Sequence, residues 1–183
     1  MVKRLSGKLK LVAALTLSVA MAACGGDGGD EDTSTPTPTP TPSTITMADL
    51  EGQWVSDQIC TDVGAGRWAR QLVSATRVSD TKANRAAGTM LYGNASCSGA
   101  AEASAVSLGE MTVQRFESGD AGSAAWATVA SSTNTWGEVW VKLSDTKLCI
   151  LGTSTSFSEV PTLAAAVSGA NISDSGKGCY VKV

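Results

Sequence analysis

The sequence predicts a mainly β domain, an antiparallel β-barrel or β-sandwich with one or two short helices and two disulfides. Three observations carry this. From residue 53 to the C-terminus, short segments alternate apolar with polar residues, at the period that half-buries a strand. Clusters of Gly, Asn, Asp and Ser fall between those segments, where turns need them. The same stretch holds Cys60, Cys97, Cys149 and Cys179, an even set that in an exported chain reads as bridges.

The alternation places strands at 53–60, 68–78, 88–92, 110–117, 125–131, 137–143, 147–152 and 179–183. Ser144-Asp145-Thr146 sits between two apolar runs as a hairpin loop, and Ser173-Asp174-Ser175-Gly176 precedes the last strand as a turn. Helix is expected at 47–51, where Thr46 stands in the capping position, and at 161–167, where Pro161 suits a first turn. Alanine is abundant throughout and opposes the strand assignments, since it favours helix. Strands at this spacing suit a sandwich or a barrel.

Four cysteines allow three pairings. The preferred one joins Cys60 to Cys97 and Cys149 to Cys179, because each bridge then ties early or late strands to their neighbours. Loops of that size contribute roughly 3 to 4 kcal/mol each by chain entropy. Zinc is disfavoured as the alternative, with no CxxC spacing and no histidine in the chain.

Residues 1–23 read as a secretory signal. Lys3, Arg4, Lys8 and Lys10 precede any acid, and an apolar run follows over 11–23. As a helix this run spans about 20 Å, short of a roughly 30 Å hydrocarbon core, so a permanent membrane helix is not expected. It ends in Met21-Ala22-Ala23-Cys24, which resembles the bacterial lipobox, with Met21 where Leu is commoner. The resemblance implies a lipoprotein whose Cys24 carries thioether-linked diacylglycerol and further acyl chains such as palmitate. Several chains on one residue would hold the protein at a membrane essentially permanently, each CH₂ adding about 0.8 kcal/mol. The alternative is an ordinary signal peptide that leaves Cys24 as a free thiol. Gly25 follows the cysteine, and similarity to enterobacterial lipoproteins, in which Asp there means inner-membrane retention, favours the outer membrane.

Residues 24–44 form a tether. GGDGGDEDTS is flexible and self-repelling, while TPTPTPTP holds near polyproline II. Fully extended, this length reaches on the order of 60 to 70 Å. Residues 45–183 then suffice for one domain.

MADLEGQWVS opens that domain, and its Gly52-x-Trp54 resembles the G-x-W signature of lipocalin-like barrels, whose tryptophan closes one barrel end. A cysteine nearby, a second after the strand from Tyr92 to Cys97, and TKLCILG extend the resemblance to small lipocalin-like lipoproteins. The resemblance implies an arginine packed on Trp54, for which Arg67, Arg70 and Arg115 are the candidates.

Chemistry is marked mainly by what is absent. Without histidine there is no Ser-His-Asp or Cys-His arrangement and no His-based metal site. GxSxG is missing, and Ser175-Gly176-Lys177-Gly178 lacks the spacing of a phosphate loop and reads as a turn. Glu102, Glu110, Glu117 and Glu138 are scattered, with nothing to bring two together for glycoside chemistry. The chain is expected to be no enzyme and to need no cofactor. Without Lys3, Arg4, Lys8 and Lys10, ten of fourteen cations face seventeen acids, a net charge of −7 that argues against nucleic acid as a partner.

TWGEVWVKLSD places Trp136, Glu138, Trp140 and Lys142 on one strand face and Val139, Val141 and Leu143 on the other. An outward tryptophan stripe would be a candidate binding surface for protein or carbohydrate. The favoured reading has the stripe covered, or lining the interior, because large apolar groups are usually buried. Met90, Met111, Phe116, Trp68 and Trp126 read as core, with a pocket for a small apolar ligand as the alternative. The expectation is a lipid-anchored envelope protein that binds without catalysis. Its partner would be a small apolar molecule or, through a surface around Trp136 and Trp140, an envelope protein, in an assembly or enzyme-inhibitor role.

Overall fold

In the computed structural model, which describes residues 44–57, 60–174 and 178–183, α1 (Met47–Leu50) leads into β1 (Gly52–Ser56) and β2 (Thr61–Gly64). An antiparallel meander follows: β3 (Arg67–Arg77), β4 (Lys82–Tyr92), β5 (Ala101–Gly119), β6 (Gly122–Ala130), β7 (Thr135–Ser144) and β8 (Lys147–Thr153). After α2 (Leu163–Asp174), β9 (Cys179–Lys182) inserts between β8 and β1. β1 pairs in turn with the second half of β3, Trp54 opposite Val73. This pairing closes eight strands into a barrel, so the fold is a barrel and not a sandwich. β2 continues along the same edge of β3 beyond β1, with Thr61 opposite Ala69.

The expected strands are present with three differences, of which the early starts of β4 and β5 share a cause. β4 begins at Lys82 and β5 at Ala101, well before their expected starts, and β2 was not expected at all. The added stretches, KANRAA and AEASAVS, are rich in alanine, whose intrinsic preference is helical. Ladder hydrogen bonds to strands already in place override that preference. The first strand stops at Ser56, and the second helix begins at Leu163 and runs on to Asp174. Ser173 and Asp174, expected in a turn, end that helix, while Ser175 and Gly176 lie outside the described residues.

Three apolar clusters form, one inside the barrel and two outside. Trp54, Trp140, Met111, Leu148, Ile45 and Leu50 fill the inside. Small neighbours on β6, Ala125 and Ala127, leave room for the indoles. On the outer wall, Ala124, Val139 and Val141 lie under Ala166 and Ala170 of α2, with the Cys149–Cys179 bridge among them. Cys149 faces Cys179 directly across the β8–β9 ladder, with Cα atoms 3.9 Å apart. The third cluster, Val55, Leu72, Met90 and Tyr92, lies under the loop that Cys60–Cys97 fastens down.

β5 is long enough to serve both the barrel and the sheet beyond it because it bends. Extra residues at Leu108 and Gln114 interrupt its register with β4 and β6. At the first bend Gly109 has φ +125°, and a Cβ there would stand 2.0 Å from the Ala130 carbonyl oxygen. Backbone cannot move aside as a side-chain tip can, and the dihedral itself disfavours an L residue. Gly109→Ala is therefore expected to destabilise the domain by about 2 kcal/mol or more, read from urea unfolding midpoints at unchanged m.

Candidate functional site

One barrel end is sealed by the segment that enters it. Ile45, Met47 and Leu50 are buried, and the Trp54 indole Nε1 donates to the Leu50 carbonyl oxygen at 3.0 Å. Asp49 Oδ2 accepts from the Thr46 N–H and hydroxyl, each at 2.8 Å, and Oδ1 accepts from Lys142 Nζ at 2.7 Å. Lys142 thus clips α1 to β7. The cation over Trp54 is Lys182, with Nζ 5.1 Å from the ring centroid, and not Arg67, Arg70 or Arg115. Gly52 leaves its path clear, since a Cβ there would come within 3.0 Å of Lys182 Cε.

Midway along the interior lies a buried ion pair. β7 points Trp136, Glu138 and Trp140 inward at alternate positions, and β4 points Arg85 inward between Ala83 and Ala87. Arg85 and Glu138 are 4% and 6% exposed, and β5 and β6 separate their strands along the wall, so the pair reaches across the interior. Arg85 Nε donates to Glu138 Oε2 at 3.1 Å and Nη2 to Oε1 at 3.4 Å. The indole N–H groups complete the set, Trp136 to Oε1 at 3.1 Å and Trp140 to Oε2 at 2.9 Å. Each carboxylate oxygen thereby receives two donors. Arg85 also donates to the Ala86 carbonyl oxygen, and its guanidinium carbon lies 5.3 Å from the Trp140 centroid.

Beyond the pair, at the end opposite α1, the interior opens. Trp136, Tyr180 and Ile150 are partly exposed there, and Gln71 is exposed at the rim, where its Oε1 accepts from the Tyr180 hydroxyl at 3.4 Å. Gly152 lies opposite Glu138 in the β7–β8 ladder and so shares its inner face. No atom stands within 4 Å of where its Cβ would be. Space is therefore open directly beside the ion pair. Burial pushes the Tyr180 phenol up, opposed by the Arg85 charge and reinforced by that of Glu138.

The stripe singled out from the sequence is intact, but it faces the interior. Trp140 is fully buried and Trp136 only partly exposed, so the pair forms no outer patch. Met111 and Phe116 belong to the interior; Trp68 and Met90 lie outside under the disulfide-fastened loop. Trp126 is also outside, donating to the Val160 carbonyl oxygen at 2.7 Å beneath Arg115, whose guanidinium carbon is 3.9 Å from its ring. The other three carboxylates do not converge. Glu102 pairs with Arg67, Glu110 with Lys82 and Glu117 with Arg115. Among the described residues no His, Cys, Asp or Glu cluster could hold a metal ion. Arg85 is the site residue that sequence reading missed. Its one signal was a lone arginine alternating with inward alanines in a stretch not read as strand. Cys24 and Lys177 lie outside the described residues.

Compared with known proteins, the chain matches no family model, no curated protein and no solved structure.

Glu138→Leu strands the Arg85 charge and two indole donors and is expected to cost about 3 to 5 kcal/mol. Arg85→Met with Glu138→Leu is expected to cost less than the two single changes together, a coupling that a double-mutant cycle in urea measures. The clip on α1 should show in pH dependence. Burial pushes the Asp49 carboxyl up, but hydrogen bonds from Lys142 and Thr46 outweigh it and hold the group below its ordinary 3.8. Lys142 is raised above its ordinary 10.5 by Asp145 and Asp49. The clip's contribution is complete between those ordinary values, lost as pH falls through the depressed Asp49 value, and lost as pH rises through the raised Lys142 value. Lys142→Met is expected to cost about 1 kcal/mol at pH 7, with the deficit shrinking on acidification toward pH 2.

Proposed function

We propose that this protein is a lipid-anchored lipoprotein of the cell envelope whose barrel binds a small apolar molecule, without catalysis, at its open end. The observation that carries the binding reading is the space beside Glu138. Gly152 leaves it open, while Trp136 and Tyr180 offer partly exposed aromatic walls. Sealing of the other end by α1 supports a single entrance. The anchor rests on the order of charged start, short apolar run, small residues and Cys24 ahead of an acidic and proline-rich tether. Lack of a D residue next to Cys24 favours the outer membrane as its location.

A second reading has one observation behind it. Over residues 101–107, all exposed, β5 pairs only with β4, and among the described residues its other edge is free. A partner strand could extend the sheet there, as in an assembly or inhibitor role.

Cys24→Ser is expected to move the protein from the membrane fraction to the soluble periplasmic fraction; retention through a salt wash would remove the lipid anchor from the proposal. Native mass spectrometry of the chain from its own host, with disulfides intact, is expected to show a bound small molecule that Gly152→Leu displaces. Wild-type chain that is empty, but cross-links to an envelope protein from a photoreactive residue at Val106, would favour the second reading.

A further inference from the structure

We propose that the open end selects uncharged ring compounds carrying a hydroxyl or carbonyl group, because Arg85 and Glu138 neutralise one another beside the space that Gly152 leaves. This rests on the binding reading above and deepens it. Each Glu138 oxygen already accepts two donors, so an arriving cation finds a carboxylate with its lone pairs engaged. An arriving carboxylate finds Arg85 held by Glu138 and the Ala86 carbonyl, and it would lie beside the Glu138 charge. Arg67 and Glu102, farther out on the same β3–β5 sheet, also pair with one another. Either kind of ion would leave water for a wall whose charges are spent, a penalty far larger than that of a neutral hydroxyl or carbonyl that finds a hydrogen-bond partner.

What the wall does offer is flat surface and one polar rim. Trp136 is partly exposed, and its N–H is pinned to Glu138 Oε1, which fixes the orientation of its ring. Tyr180 presents a phenol that is protonated at neutral pH, and burial pushes its titration further up. Gln71 uses its Oε1 on the Tyr180 hydroxyl, and its amide N–H groups remain for a ligand oxygen. Rings stack on such walls, and a single hydroxyl or carbonyl reaches the rim.

The test dialyses the exported, disulfide-bonded chain carrying Cys24→Ser to equilibrium against 2-naphthol, 2-naphthoate and 2-naphthylmethylammonium at neutral pH. Binding of 2-naphthol is expected to be tighter than that of either ion by about tenfold or more. Gly152→Ala is expected to weaken it with an unchanged thermal midpoint, since no atom stands within 4 Å of the added Cβ, and Gly152→Leu is expected to weaken it by about tenfold. If either ion binds as tightly as 2-naphthol while Gly152→Leu still blocks, the charge rule is overturned and the binding site stands. Retention of no probe, or binding indifferent to both substitutions, overturns the binding reading and the charge rule together.

Discussion

A carboxylate and a guanidinium held inside a small barrel constrain everything around them. Removing two such ions from water costs several kcal/mol each, and their attraction offsets this only when the remaining lone pairs and protons also find partners. Glu138 meets that condition through two tryptophans on its own strand, one on each side, and through Arg85 from across the interior. The tryptophans must then point inward, which sets the register of β7 and turns Val139 and Val141 to the outer wall. The outer wall in turn becomes the apolar face that α2 covers.

Volume follows from the same demand. Two indoles flanking Glu138 on the inner face of β7 leave little room on β6, where Ala125 stands opposite Trp140 and Ala127 opposite Glu138. Outside, Ala124 lets Ala166 and Ala170 of α2 approach the wall closely. Alanine is thus a spacing device in this barrel. On one side it admits tryptophan, on the other a helix, and its weak strand preference is the cost of both.

The two barrel ends divide the remaining roles. At one, Ile45 is buried inward, and Lys142 fastens the following helix through Asp49. At the other, β3, β4 and β5 run on past the closed ring, steadied by Cys60–Cys97, while the interior beside the ion pair stays open at Gly152. A polar layer that is fully hydrogen-bonded can separate a packed half from an open one without leaving an orphaned group in either.

Alternation and turn residues by themselves determined a mainly β domain, most of its strands, the 144–146 hairpin and a capped helix at Met47. The count and spacing of cysteines made Cys60–Cys97 and Cys149–Cys179 the preferred pairing, and the structure contains both. These are legible because they depend on neighbours a few residues away, or on cysteines too few to pair many ways. Trp136, Glu138, Trp140 and Lys142 were legible as one face for the same reason. Which way that face points was decided only by tertiary structure, when β1 met β3 and gave the sheet an inside. Arg85 became part of the site in the same step, since its partner is 53 residues away in sequence and across the interior in space. Lys182 over Trp54 was equally a tertiary matter, because β9 comes to β1 from the opposite end of the domain's sequence. Closure is a property of the whole sheet, set by register and strand number together, and no local pattern of residues encodes it.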